Sequence, residues 1–184
     1  MTRVAATVAG APVRGAEVDE REARLRRSPQ TAALPPPGTS ECRQLRRWLT
    51  QLLVSERVVA HQAEALSVRI SEITPTEEQV LPDTTARLEI GSVAAAVLGS
   101  PLGRALFAHV TDNVDVEHDS VVDYERRNPG RFPTPALLAE HLRGAARRRA
   151  FRIWLDQRRA ELVWLAPGYE HPGDPRQPDN IHRH

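Results

Sequence analysis

Apolar residues recurring at three- and four-residue steps predict two long amphipathic helices. The first begins at a Ser40 N-cap and runs to about residue 67, and the second begins at Thr134-Pro135 and runs to about residue 163. The apolar face of the first helix carries Leu45, Trp48, Leu49, Leu52, Val59, Ala63 and Leu66. That of the second carries Leu138, Leu142, Ala145, Phe151, Leu155 and Leu162. Two such faces predict a mainly helical core.

Capping signals predict shorter helices around these two. A charged helix is expected over residues 15–27, and another over residues 117–127. Between the long helices, the pattern Thr74-Pro75-Thr76-Glu77 predicts a capping box with proline at the first helical position. Asp83 and Ser100-Pro101 predict two further helix starts, with an interruption at Gly91, a stop at Gly99, and Leu88, Ile90, Val93 and Val97 on the apolar side.

Short β-branched runs near the two ends predict two strands. These are residues 4–8 and 162–165, and Pro12-Val13 predicts a small hairpin after the first. Residues 28–39 contain Pro35-Pro36-Pro37-Gly38 and predict an extended, proline-rich linker inside the domain. We therefore expect an all-α fold with two short terminal strands that pair, one domain over residues 1–166, and a proline- and histidine-rich tail over 167–184.

The charged residues change the picture, because all 25 basic residues among the 184 are arginines. Without lysine, the chain has no Schiff-base or pyridoxal-phosphate chemistry and no P-loop lysine. The 24 acidic residues leave a net charge of +1, which argues against a nucleic-acid partner. The abundance of arginine, alanine and proline, whose codons are GC-rich, suggests a GC-rich genome.

A single cysteine, Cys42, excludes an intramolecular disulfide and favours a reducing compartment. The first residues make a poor signal peptide, and no run of about 18 apolar residues is present to span a bilayer. We therefore expect a cytoplasmic protein without a membrane partner. Cys42 lies in a first helical turn, which can activate a thiol, but no histidine is near in sequence and an inert residue is favoured.

Three stretches resemble the chaperone domain of SurA- and PrsA-type foldases, the parvulin-containing peptidyl-prolyl isomerases. They are residues 4–18, with the run Val4-Ala5-Ala6-Thr7-Val8; residues 44–63, with Leu52-Leu53-Val54-Ser55-Glu56; and residues 116–132, with Val121-Val122-Asp123-Tyr124. The resemblance implies a SurA N-terminal-like helical fold. In that family a parvulin domain follows the last passage, whereas here Pro133-Thr134-Pro135 leads directly into a helix. The resemblance therefore implies a chaperone-like module without isomerase activity.

A domain of that kind binds apolar segments in a groove between long helices. Tryptophan is enriched where binding energy concentrates, so Trp48, Trp154 and Trp164 are candidate anchors. Tyr124 is a further candidate ligand contact. For Trp48 in particular, packing in the core is the favoured alternative, because it lies on an apolar helix face.

The C-terminal tail carries the densest group of histidines. His182 and His184 would lie on one side of an extended chain, and His171 and Asp174 complete a set suited to a divalent transition metal such as zinc or iron. A tail with incidental histidines is the favoured alternative.

Two other clusters have structural explanations that we favour. His109, Asp112, Asp115, Glu117, His118, Asp119 and Asp123 have the composition of solvated helix caps. Arg147, Arg148 and Arg149, with Arg143 and Arg152, could contact phosphates, but acidic neighbours favour a solvated face of ion pairs.

The leading hypothesis is therefore a chaperone-like binding module that holds a protein partner or an apolar ligand in an inter-helix groove. The alternative is a metal-dependent small-molecule enzyme of bacterial specialised metabolism, built on the same scaffold with the C-terminal histidines as ligands. An arginine-mediated nucleic-acid binder is a weaker third hypothesis. A homodimer is compatible with each of them.

Overall fold

The two ends of the described chain meet in one small sheet. The computed structural model describes residues 3–174, and in it β1 (Val4–Val8) lies between β2 (Ala11–Arg14) and β3 (Val163–Leu165). Both pairings are antiparallel, with Val8 opposite Ala11 and Val163, and a register shift lies between Val4 and Ala6 on the β2 side. The predicted pairing of the terminal strands is confirmed, and the predicted hairpin adds a third strand.

The chain divides into two compact units, Met1–His61 with Arg158–His184, and Gln62–Gln157. The described elements of the first unit, besides the sheet, are α1 (Gly15–Arg26), a 3-10 helix (Pro29–Ala33) and most of α2 (Ser40–Ala65). Its core is aliphatic, because Val13 and Val18 from the hairpin and α1, and Leu49, Val54 and Val58 from α2, are almost completely buried.

The second unit is built of helices. Its elements are α3 (Glu77–Val80), α4 (Thr84–Ile90), α5 (Ser92–Leu98), α6 (Pro101–Val110), α7 (His118–Arg127) and most of α8 (Pro135–Leu162). Leu98, Leu106, Leu138 and Leu155 are buried, and the rings of Phe107 and Phe151 meet edge to face with centroids 5.5 Å apart. Over residues 3–174 the predicted mainly helical fold is confirmed.

Two predicted helix starts have the caps that the sequence predicts. The carboxylate of Asp83 accepts a 2.8 Å hydrogen bond from the amide of Ala86, and the Ser100 hydroxyl accepts one of 3.0 Å from Gly103. Gly91, at φ 86°, adopts the left-handed backbone that separates α4 from α5. These caps are local in sequence, which is why the pattern predicts them.

Three local predictions were wrong. The capping box is Thr76 with Gln79 rather than Thr74 with Glu77, because the Thr74 hydroxyl instead accepts a bond from the amide of Ser71. Two leucines assigned to apolar faces are exposed: Leu88 by 76%, and Leu66, which follows the end of α2, by 41%. Residues 28–39 are not wholly extended, because Pro29–Ala33 form a 3-10 helix before the three consecutive prolines.

Within residues 3–174 no single helix is long and apolar enough to cross a membrane. The helices Ser92–Leu98 and Pro101–Val110 are long and apolar enough for a span only if they are counted together, and the chain bends by 103° between them.

Candidate functional site

An apolar groove of about 270 Å³ lies between α1 and α2 in the first unit. Leu49 and Leu52 are buried along α2, Leu25 contributes from α1, and the half-buried indole of Trp48 forms one side. Arg21, Arg24 and Ser28 also line the groove. The helical periodicity of α2 places Trp48, Leu49 and Leu52 on one face, whereas α1 supplies a single leucine among charged residues.

Two arginines give this groove a cationic side. Arg21 spans to α2, where its guanidinium nitrogens lie 2.8 Å and 3.3 Å from the carboxylate oxygens of Glu56. Arg24 pairs with Glu20 along α1 at 3.2 Å, and both of those side chains are about two-thirds exposed. The Arg24–Glu20 pair is therefore weak and solvated. Because of this, the Arg24 guanidinium can also bind another carboxylate.

The four predicted anchors do not form one site. Trp48 and Trp164 lie in the first unit and Tyr124 and Trp154 in the second. Trp164, on β3 opposite Thr7, is 55% exposed. The Tyr124 ring contacts that of Phe132 edge to face at 6.1 Å, and Trp154 stacks on Phe151 at 5.8 Å. Of these anchors, Trp48 is the one that lines the groove between α1 and α2.

Sequence reasoning missed a partly buried ionic network between α1 and α2. The Glu22 carboxylate accepts hydrogen bonds from Arg26 at 2.8 Å and from Arg46 at 2.6 Å, and Arg46 also binds Asp19 at 2.5 Å. The thiol of Cys42 lies 3.6 Å from the same carboxylate. The spacing of Glu22 and Arg26 was a visible signal for one pair, but no local pattern connects α1 to Arg46.

Burial of Glu22 would by itself raise the pKa of its carboxyl group. The hydrogen bonds and positive charges of Arg26 and Arg46 outweigh that effect, so the pKa of Glu22 lies below its ordinary value. The carboxylate is thereby held ionised, and it serves as the centre of an ion-pair network between two helices.

A second buried polar group lies between α2 and the C-terminal part of the chain. The Gln51 side chain is fully buried; its amide nitrogen donates to the carbonyl of Tyr169 at 3.3 Å, and its oxygen accepts a bond from Arg159. Ser55, also fully buried, has a hydroxyl oxygen with no hydrogen-bond partner in the part of the chain that the structure describes. A glutamine within a helical stripe gives no sequence signal for such a contact.

The predicted metal set is only partly within the described residues. His182 and His184 lie outside them. His171 is exposed, and its Nδ1 accepts a 3.0 Å hydrogen bond from the amide of Gly173, while the amide of Asp174 donates to the carbonyl of His171. Over residues 3–174, no group of three or more histidine, cysteine, aspartate or glutamate side chains is placed to hold a metal ion.

Part of the acidic cluster lines a larger cavity of about 530 Å³ in the second unit. His109, from α6, and Asp112, just after it, line this cavity together with Arg69 and the 93%-exposed Ile73. Asp115 accepts a bond from the amide of Val116, and Asp119 lies in the first turn of α7. Asp119 therefore lies where a carboxylate suits a helix N-terminus, but Glu117, the N-cap residue of α7, makes no side-chain capping bond to the described residues, so the predicted capping role is only partly confirmed.

The expectation of a solvated face of ion pairs holds for Arg143, which pairs with exposed Asp115 at 3.8 Å, but it was wrong for three other members of the arginine run. Arg147 donates to the Thr111 hydroxyl at 2.9 Å and to the carbonyl of Ala108 at 3.4 Å. Arg148 is 6% exposed and donates to the carbonyl of Val80 at 3.4 Å, and Arg152 donates to that of Glu89 at 3.3 Å. The free carbonyls at helix C-termini accept hydrogen bonds from guanidinium groups. Since these acceptors belong to the backbone, the sequence of side chains does not predict them.

Comparison with known proteins adds one match. Residues 4–41, which include β1, β2 and α1, match a family of unknown function (DUF7158). No curated protein and no solved structure matches the chain. The matched segment includes one wall of the groove, with Arg21, Arg24 and Leu25, and ends as α2 begins.

Proposed function

We propose that this protein is a non-catalytic, chaperone-like binding module, and that its groove between α1 and α2 holds an apolar segment of a protein partner. The observation that carries the proposal is the half-buried indole of Trp48 beside Leu25, Leu49 and Leu52. Removing apolar surface from water contributes about 25 cal/mol per Å², and interface energy concentrates at tryptophan.

The charges of the groove favour one kind of occupant. Arg21 and Arg24 line it, and Arg24 retains about two-thirds of its side-chain exposure despite its pairing with Glu20. A segment with a large apolar side chain beside an aspartate or glutamate would complement both features. A free apolar ligand without a carboxylate would use the leucines and Trp48 but gain nothing from the arginines.

The similarity to SurA- and PrsA-type chaperone domains belongs to this proposal. The order of elements supports it, because a terminal strand, a turn and a charged helix precede the long α2, and β3 pairs with β1. After Phe132, only Pro133 and Thr134 precede α8, which leaves no room there for a parvulin domain. We expect the chain to show no prolyl isomerase activity in a peptide assay.

An aggregation-suppression assay with an unfolded client tests the binding function. The protein at several-fold molar excess should reduce light scattering from the client, and Trp48→Ala should remove most of that effect. Ile153→Ala is the matched control, because Ile153 is a large apolar residue, 47% exposed, on α8. Thermal unfolding of each variant separates lost binding from lost fold.

A charge reversal supplies a second variant that leaves the apolar core untouched. Arg24→Glu should weaken the binding of an acidic-flanked apolar peptide by roughly tenfold, the effect of one lost charge-assisted bond. The same change should leave binding of a neutral apolar peptide nearly unaltered. If wild-type protein suppresses no aggregation and binds neither peptide, the chaperone-like function is wrong.

No described residue favours the metal-dependent enzyme, and its test is direct. Metal analysis of the full chain and of a chain that ends at residue 166 should reveal equal, substoichiometric metal. A stoichiometric metal that is lost with residues 167–184 would favour the enzyme instead.

A further inference from the structure

A small cationic cavity lies beside the end of α4 in the second unit. Its volume is about 250 Å³, and its lining consists of Ile90, Ala145, one carboxylate and three guanidinium groups: Glu89, Arg148, Arg149 and Arg152. Three positive charges face one negative charge there. This local excess contrasts with the net charge of +1 for the whole chain.

Arg148 is incompletely satisfied within this cavity. It is 6% exposed, its Nε has no hydrogen-bond partner among residues 3–174, and a carboxylate oxygen of Glu89 lies 3.9 Å from one terminal nitrogen. The one carbonyl that it reaches, that of Val80, is at 3.4 Å, near the limit for a hydrogen bond. Buried polar groups are normally paired, so the buried guanidinium of Arg148 has donors that can bind a further acceptor.

The other two arginines also retain donor capacity. Arg149 is exposed and makes no hydrogen bond or ion pair within residues 3–174, and Arg152 gives one terminal nitrogen to the carbonyl of Glu89 at 3.3 Å. A guanidinium carries five N–H donors. Arg148, Arg149 and Arg152 therefore line one cavity with more donors than the described acceptors use.

We propose that this cavity binds the phosphate group of a small molecule through Arg148, Arg149 and Arg152. Guanidinium groups match tetrahedral oxyanions by paired, charge-assisted hydrogen bonds. The cavity is smaller than the 300–1,000 Å³ typical of sites for drug-sized ligands, so it suits a phosphate group with little attached to it. A single confined cavity does not resemble the extended basic stripe that follows a nucleic-acid backbone.

Isothermal titration at low salt, with inorganic phosphate and with glycerol phosphate as separate probes, tests the proposal. Saturable binding of either probe is expected, and the stronger of the two identifies the free ion or the monoester as the better ligand. Arg149→Gln should weaken that binding by about tenfold, since it removes one charge-assisted contact without altering the core. Glu89→Gln should strengthen binding, because it removes the carboxylate that repels the anion.

Arg143→Gln is the matched control, because it removes one positive charge from α8 outside the cavity and should change phosphate affinity little. Circular dichroism melts verify that each variant is folded. The proposal is overturned if neither probe saturates by about 10 mM, a concentration above weak millimolar affinity. It is equally overturned if Arg149→Gln and Glu89→Gln both leave the phosphate affinity unchanged. An oligonucleotide serves as a third probe, and binding of the oligonucleotide without binding of either small probe would also overturn the proposal.

Discussion

Glu22 illustrates how one residue of α1 depends on residues far away in sequence. It is 9% exposed and accepts hydrogen bonds from its helical neighbour Arg26 and from Arg46 on α2. Charged groups are stable when buried only if they are paired in this way. The pair with Arg26 was predictable from its four-residue spacing, but Arg46 lies 24 residues away and only folding brings it to Glu22.

Replacing Glu22 tests this network through its pH dependence. Because the pKa of Glu22 is lower in the folded chain than in the unfolded one, its stabilisation is complete at neutral pH. That stabilisation is lost as the pH falls below about 4.5, the ordinary value, through the folded-state pKa. Urea unfolding of the wild-type protein should therefore show a loss of unfolding free energy between pH 6 and pH 3, and this loss should be smaller in Glu22→Gln. Each unit by which the pKa of Glu22 differs between the folded and unfolded chain corresponds to roughly 1.4 kcal/mol.

At neutral pH, Glu22→Gln should itself lower the free energy of unfolding by about 1–3 kcal/mol, because charged donors lose their partner. Glu20→Gln is the control, since its pair with Arg24 is exposed. A Glu22→Gln variant with an unchanged pH profile would show that the network does not couple to folding.

At the scale of elements, arginine side chains donate hydrogen bonds to the C-terminal carbonyls of short helices in the second unit. Arg104 donates to the carbonyls of Leu98 and Gly99, at 3.1 Å and 2.9 Å, where α5 ends, and to the carbonyl of Pro75 at 2.8 Å. Arg147 and Arg152 make similar contacts at the ends of α6 and α4. The last carbonyls of a helix have no partner within it, and a planar guanidinium can satisfy several of them together.

This role predicts that lysine cannot replace Arg104. Arg104→Lys keeps the positive charge, but an ammonium group lacks the planar array of donors that reaches the carbonyls of Pro75, Leu98 and Gly99 together. We therefore expect the free energy of unfolding to fall by about 1–2 kcal/mol. Arg126→Lys is the control, because the Arg126 side chain is 75% exposed and pairs with Asp123 in the same helix. Equal stability of the two variants in thermal melts would contradict the capping role.

The boundaries of most helices were accessible to sequence reasoning because their signals are local. The Ser100 cap and the left-handed Gly91 lie within a few residues of the backbone that they control. The face of a short helix was less predictable, as exposed Leu88 demonstrates, since α4 has only seven residues and its periodicity covers about two turns. The apolar stripe of α2 identified Trp48 as a candidate anchor. Leu25 is one of the few apolar positions of α1, but nothing in the sequence placed it in a groove beside Trp48.

At the scale of the whole molecule, β3 connects the C-terminal part of the chain to its beginning. The Ala166 amide donates to the Ala5 carbonyl at 2.9 Å, beyond the paired strands, and the Tyr169 carbonyl accepts from buried Gln51. β1 is therefore hydrogen-bonded on both sides. Without β3, one edge of β1 would be exposed.

Truncation tests the contribution of this strand. A chain ending at residue 162 should unfold several degrees below a chain ending at residue 174, because it loses the β1–β3 pairing and the burial of Tyr169. Trp164→Thr in the longer chain is the control, since it alters one exposed side chain and keeps the strand. Coincident melting of the two truncated chains would show that β3 contributes nothing to stability.

The sequence by itself determined the helical class, the long helices and the caps at Asp83 and Ser100, because periodicity and capping act over a few residues. It also predicted two short terminal strands, but their register is a long-range contact that only the tertiary structure decided. Only the tertiary structure decided which partners the arginines have. Arg46 binds a distant carboxylate, whereas Arg104 and Arg148 donate to backbone carbonyls, a group that every residue of the chain carries. Because a backbone carbonyl is the same at every position, the sequence did not show which arginine donates to the end of a helix and which pairs with a distant carboxylate.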